Sequence, residues 1–161
     1  MLDPFLFRDA MANVASAVSI LTSHGQAGSA GLTVSSIASV TDTPATVLVC
    51  INQGSDLHDV IVENSHVAIN LLQPEHEQLA LHFACMAGST MAERLSWDVW
   101  AQGRHGVPIL KDALAVLQGR VTHTHQVGTH SVFFIELDEI AIADHGNALV
   151  YHNRRFKPLE H

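Results

Sequence analysis

Four short runs of this 161-residue chain carry side chains able to do chemistry. The first is Thr33-Val34-Ser35-Ser36, extended through Ser39, which sets hydroxyls and unobstructed main-chain amides beside a strand. Small side chains of that kind let a flat ring approach the backbone, and hydroxyls with backbone N–H groups bind phosphate without net positive charge. The run also reads as an ordinary serine-rich edge strand. The second, Asn52-Gln53-Gly54-Ser55, ends where a helix is predicted to begin, so free N–H groups and the helix dipole favour an anion there. An N-cap without a ligand explains it equally. Arg154, Arg155 and Lys157 gather three of the eight basic residues into one place, as part of an anion site or as a solvated tail. The fourth run is His123-x-His125 followed by His130. Alternate strand residues share a face, so two imidazoles could converge on a metal. No carboxylate partner stands at a suitable spacing, and an alternating strand needs a polar outer face in any case. No metal site is expected.

Familiar catalytic motifs are missing. No GxGxxG opens a helix after a strand, no GxxxxGK[ST] loop is present, and neither GxSxG nor HExxH occurs. If the chain handles nucleotides, it does so on another scaffold. Residue reading alone reaches two candidate phosphate sites and a basic cluster, but not a reaction.

Composition narrows the partners. The formal net charge of −8 argues against nucleic acid and against anionic membranes, so any anionic ligand is held by local donors. Hydrophobic residues make up 47% and charged residues 15%, an apolar balance that fits a surface covered by a second subunit, with a well-filled monomer as the other reading. Cys50 and Cys85 lie far apart in apolar runs and read as buried free thiols of a reducing compartment. With no membrane-length apolar run and no basic, apolar-centred leader, the expected location is the cytoplasm. A single domain is expected over 1–158, with 159–161 as the remnant of an expression tag.

These groups need elements to position them. Asp3 and Pro4 open a helix whose apolar residues are Phe5, Leu6, Phe7, Met11 and Val14. A strand over AVSILTS follows, then a turn-prone loop, then the small-residue run, which breaks at Thr43-Pro44 before the apolar strand Ala45 to Ile51. Ser55 caps a short helix; HVAINLL is a strand ended by Pro74; EHEQLALHFACM is a helix; AGSTMAERLSWDVWAQGRHGVPIL is loop-rich. LAVLQGRVTHTHQVG bends at Gly119, and HSVFFIELDEIAIA and ALVYH complete the strands. About six strands and two or three helices point to a closed antiparallel barrel rather than a βαβ sheet.

FRDAMA, GLTVSSIASVTDTP with LVCIN, HFACMAG with a following ER, GTH, and YHNRRF occur in that order. Together they resemble the short-chain flavin reductases of two-component monooxygenases, over essentially Phe7 to Phe156. The resemblance implies a mainly β (α+β) fold, a six-stranded antiparallel Greek-key split β-barrel of FMN-binding type with two to three flanking helices. It implies a homodimer that takes FMN or FAD, oxidises NADH and supplies a separate flavin-dependent oxygenase acting on an aromatic substrate. By the same resemblance, Thr33, Val34, Ser35, Ser36 and Ser39 would lie along the isoalloxazine ring and ribityl chain. Asn52 and Ser55, with Gln53 beside them, would hold the flavin phosphate, and Phe83 and Ala84 would close that side. His130 would sit near the nicotinamide as the catalytic-site histidine, and Tyr151 and Arg154 near the dinucleotide. Many relatives carry Gly-Asp-His where this chain has Gly128-Thr129-His130. Other readings remain: a reductase for a pyrimidine-degrading monooxygenase, a non-catalytic flavin- or haem-binding split barrel, or a histidine-rich metal-binding barrel.

Overall fold

A computed structural model describes residues 1–160. Twelve strands and four α-helices are present among them. The chain opens with α1 (Pro4–Met11), then β1 (Ser16–Ala17), β2 (Ser19–Gly25), β3 (Gly28–Val34), β4 (Ile37–Asp42) and β5 (Ala45–Asn52). Next come α2 (Asp56–Asn64), β6 (His66–Leu71), α3 (Glu77–Phe83), α4 (Met91–Ser96), β7 (Trp100–Gln102) and β8 (Pro108–Leu110). Two long strands, β9 (Ala115–Val127) and β10 (His130–Ile142), precede the hairpin of β11 (Ala148–His152) and β12 (Arg155–Leu159).

Seven strands form the principal sheet in the order β3-β2-β6-β9-β10-β5-β4, every neighbouring pair antiparallel. This corrects the closed six-stranded barrel expected from the sequence. β3 bonds only to β2 and β4 only to β5, so the two edges adjoin in sequence, across Ser35-Ser36, without sharing a ladder. The expected strand count also fell short because β1, β11 and β12 make a separate three-stranded sheet, and β7 pairs with β8. Leu159, read as part of a tag remnant, ends β12 opposite Ala148, while His161 lies outside the described residues.

Two apolar clusters flank the sheet. Leu21, Val67 and Ile69 pack on one side with Leu57 and Ile61 of α2, while Ile20, Ala68 and Leu72 pack on the other with Ala80 and Phe83 of α3. β2 and β6 are thus buried on both faces, and β2 carries the buried hydroxyls of Ser19, Thr22 and Ser23 beside Ile20 and Leu21. The one polar side chain at the heart of β6, Asn70, is fully buried and satisfied: it donates to the Ile20 carbonyl at 2.9 Å and accepts from the Leu110 amide at 2.8 Å.

Helix starts follow the sequence signals. The Asp3 carboxylate accepts from Phe5 N–H at 2.9 Å and Pro4 opens α1. The Ser55 hydroxyl accepts from Leu57 N–H at 3.3 Å to begin α2. The segment read as loop-rich after α3 contains α4, marked by a capping box in which Thr90 and Glu93 exchange hydrogen bonds. Those bonds, from the Thr90 amide first, hold the Glu93 carboxyl below its usual range. Cys85 is exposed rather than buried, because the chain turns left-handed there (φ 58°) and swings its side chain off the end of α3.

The bend expected at Gly119 is a register shift in the β9–β10 ladder, between the rungs that pair Leu137 and Glu139. A Cβ at Gly119 would lie 2.2 Å from the Glu136 carbonyl oxygen, a contact only backbone movement could relieve. Gly119→Ala is therefore expected to cost about 1–3 kcal/mol of stability, measured by urea unfolding; an unchanged midpoint would show that the bulge absorbs the methyl.

Candidate functional site

Where β3 gives way to β4, the backbone lies outside any shared ladder and two cavities meet. The smaller, of about 160 Å³, has Thr33, Val34 and Ser35 as one wall and Ala84, Met86, Tyr151 and Phe156 as the other. The larger, of about 480 Å³, runs on past Ser35, Ser36 and Tyr151 to Arg8, Met11 and Phe7 of α1 and to Arg154. Ser35 and Tyr151 line both, so they form one trough. The larger part falls within the roughly 300–1,000 Å³ typical of small-molecule sites.

Three ties hold the trough's floor. The Ser36 hydroxyl donates to the Cys50 carbonyl at 2.9 Å and accepts from the Cys50 amide at 3.2 Å, standing in for a ladder rung between the crossing segment and β5. The Thr33 hydroxyl donates to the Ala80 carbonyl at 2.7 Å and fastens β3 to α3. Phe83 sits fully buried behind β3, its ring close enough to Gly31 that a Cβ there would come within 2.7 Å of it. Arg94, itself buried, lies over the outer side of the Phe83 ring at 5.8 Å and donates from Nε to the Ser89 hydroxyl at 2.8 Å. Val34 points into the core, so only its main chain faces the trough.

The residues singled out from sequence fall into two groups. Thr33, Val34, Ser35, Ser36, Ala84, Tyr151 and Arg154 line the trough. Asn52, Gln53, Ser55 and His130 form a separate corner at the ends of β5 and β10. There Gln53 N–H donates to the Thr129 carbonyl at 2.9 Å, Gln53 Nε2 donates to the His130 carbonyl at 3.2 Å, and the Thr129 hydroxyl meets His130 Nδ1 at 2.9 Å. The Asn52 side chain accepts from Gly54 N–H at 2.8 Å. Asn52 stands two residues along β5 from Cys50, about 7 Å at the rise of an extended strand, so one elongated ligand could span trough and corner.

Two expected residues lie elsewhere. Ser39 is on the exposed edge strand β4 opposite Val47 and lines neither cavity. Phe83 supports the trough from behind and does not surface in it. His123 and His125 instead line a shallow cavity with Thr124, Val132 and Phe134. Among the described residues no three His, Cys, Asp or Glu side chains stand close enough to hold a metal ion.

Sequence reasoning missed Met86, Phe156, Arg8 and Met11 as lining residues. The signal for Phe156 was available: Asn153-Arg154 is a two-residue hairpin loop, and it pairs Tyr151 with Phe156 across the strands, ring centroids 5.1 Å apart. α1 carried no such signal, since nothing local says which surface a helix will approach.

Fold and cavities together define a mainly β protein with an open ligand trough at the seam of its sheet. The chain belongs to the flavin reductase-like family: the profile described as "Flavin reductase like domain" matches residues 11–160. It is 42% identical to the 4-hydroxyphenylacetate 3-monooxygenase reductase component of Pseudomonas aeruginosa, covering 96% of this chain and 91% of that protein. It is 39% identical to the FMN reductase (NADH) RutF of Pantoea ananatis, covering 95% of this chain and 80% of that protein. In structure it matches BorF, the flavin reductase component of a bacterial two-component tryptophan halogenase, with a TM-score of 0.91, 26% identity and 98% of each chain covered.

Because Ser36 supplies both halves of a rung, its loss should loosen the seam. Ser36→Ala is expected to lower stability by about 1 kcal/mol and to speed amide exchange at Cys50; unchanged exchange there would show that the crossing segment is held by other means.

Proposed function

We propose that this chain is an NADH-dependent flavin reductase that reduces FMN or FAD and releases it to a separate aromatic monooxygenase of the 4-hydroxyphenylacetate type. The observation that carries the proposal is the seam itself: exposed main chain at Ser35-Ser36, small enough to admit a flat ring, facing Tyr151 and flanked by Arg8 and Arg154. The donor set fits a flavin. The Ser35 hydroxyl bonds to no described residue and, with the seam's main chain, is free to meet a polar ring edge. The relatives' names add the substrates: one is a monooxygenase reductase component and another an FMN reductase using NADH.

Bound together, NADH and flavin would supply the bond chemistry, a hydride transfer from nicotinamide to flavin. The protein's task is to stack and orient. Thr33 and Val34, by main chain, and Ser35 and Ser36 lie along the ring, with N–H donors that favour the charge gained on reduction. Ala84 closes the side, with Phe83 keeping β3 in place. Asn52, Gln53 and Ser55 lie where the flavin phosphate would end, at the start of α2. Tyr151 and Arg154 receive the dinucleotide, and His130 orients the nicotinamide amide rather than acting as an obligatory acid. Ser39 takes no part in this reading. The wide mouth of the trough suits a flavin that must leave after each turnover.

A homodimer belongs to the same reading. Phe5 and Leu6 of α1 are 71% and 59% exposed, and Val132 and Phe134 line an apolar hollow on the outer face of the sheet. Covering such area is what a second subunit does. No helix among the described residues is long and apolar enough to cross a membrane, and the reading places the enzyme in the cytoplasm beside its oxygenase.

Anaerobic mixing of the protein with NADH and each flavin should bleach the yellow flavin absorbance over many turnovers. Failure with both FMN and FAD would overturn the proposal, and bleaching would rule out a non-catalytic flavin carrier. His130→Ala is expected to raise the Michaelis constant for NADH several-fold while turnover at saturation falls less than about twofold; complete loss of turnover would remove the orienting role.

A further inference from the structure

The helix α1 buries none of its own residues, yet it covers one end of the trough. Two polar ties fix it there. Asp9 Oδ1 accepts from Arg154 Nη2 at 2.5 Å, and the Ala12 carbonyl accepts from Asn153 N–H at 2.7 Å. Both anchors come from the loop between β11 and β12, where Asn153 and Arg154 adopt left-handed φ angles of 51° and 59°. Glycine would take the second position of such a turn without steric cost. An arginine there places a guanidinium at the trough's mouth in spite of the strain.

That guanidinium is already occupied by a carboxylate. The pair is solvent-exposed, with 57% of the Arg154 and 66% of the Asp9 side chain accessible. Exposed pairs of this kind are weak and exchange readily. In a chain of net charge −8, a carboxylate beside the cavity repels an incoming anion unless the cation is handed over. Arg8, the neighbour of Asp9, lines the same cavity and adds a second cation there.

We propose that Asp9 is a positioning residue that competes with the pyrophosphate of the pyridine dinucleotide for Arg154. The pair holds Arg154 at the mouth while the site is empty, and the guanidinium passes from Asp9 to the dinucleotide as it docks. The inference rests on the flavin reductase reading above and names how that site admits its anionic co-substrate.

The test is steady-state NADH oxidation by the full-length protein at saturating FMN, comparing Asp9→Asn and Asp9→Glu with the wild type. Asp9→Asn should lower the Michaelis constant for NADH roughly threefold, leave turnover unchanged, and lose its advantage as salt is raised. Asp9→Glu should restore wild-type behaviour, a rescue that helix packing alone would not produce. In an Arg154→Ala background Asp9→Asn should have no further effect, the non-additivity expected of a directly coupled pair. A wild type that reduces flavin while Asp9→Asn leaves the NADH constant unchanged, or raises it, overturns this inference alone. Tighter FMN binding with riboflavin and NADH unaffected would assign the contact to the flavin phosphate and overturn it as well. A wild type that fails to reduce flavin defeats the underlying reading, and this one with it.

Discussion

Between Val34 and Ile37 the chain leaves the ladder it shares with β2 and joins the ladder it shares with β5, and for two residues its backbone belongs to neither. Backbone N–H and C=O groups of a sheet interior are almost always paired, so such a stretch has to stay near solvent, a side chain or a ligand. Here the Ser36 hydroxyl does part of the pairing from the side and the rest stays open. Every feature of the candidate site derives from that partner switch: its position, its lack of bulk, and its supply of main-chain polar groups.

Much of the surrounding structure exists to hold the switch in place. β2 and β6 are packed on both faces and form a rigid base for β3. α3 takes the Thr33 hydroxyl on its Ala80 carbonyl and slots Phe83 against Gly31, where any side chain would collide. On the far edge the long β9–β10 hairpin carries β5, and the β-bulge opposite Gly119 lets that hairpin twist around the core. A loosened packing residue at any of these points would reach the trough through the backbone, without touching a ligand.

Electrostatics work against the overall charge. Eight more acidic than basic groups would keep anions away, so the trough depends on two local cations, one from each end of the chain. Arg8 and Arg154 lie 146 positions apart and meet only because the β11–β12 hairpin folds back under α1. A cation that must be available on demand is well served by an exposed, exchangeable partner such as Asp9, since a buried pair would be too costly to break.

What could be read from sequence was what is local. Caps at Asp3 and Ser55, the break at Thr43-Pro44 and the bend at Gly119 depend on neighbours within a few residues, and all are found as expected. The small-residue run was recognisable as a place for close approach, because residue size and hydroxyl content are properties of the run itself. Tertiary structure alone decided that β3 and β4 share no ladder, that Ser39 turns away from the trough, that Phe83 stands behind it, and that Cys85 faces solvent. It alone brought Met86, Phe156 and Arg8 to the same cavity as Tyr151. The physical reason is that strand pairing and helix placement minimise the exposed apolar surface of the whole chain, a sum over distant residues that no local pattern contains.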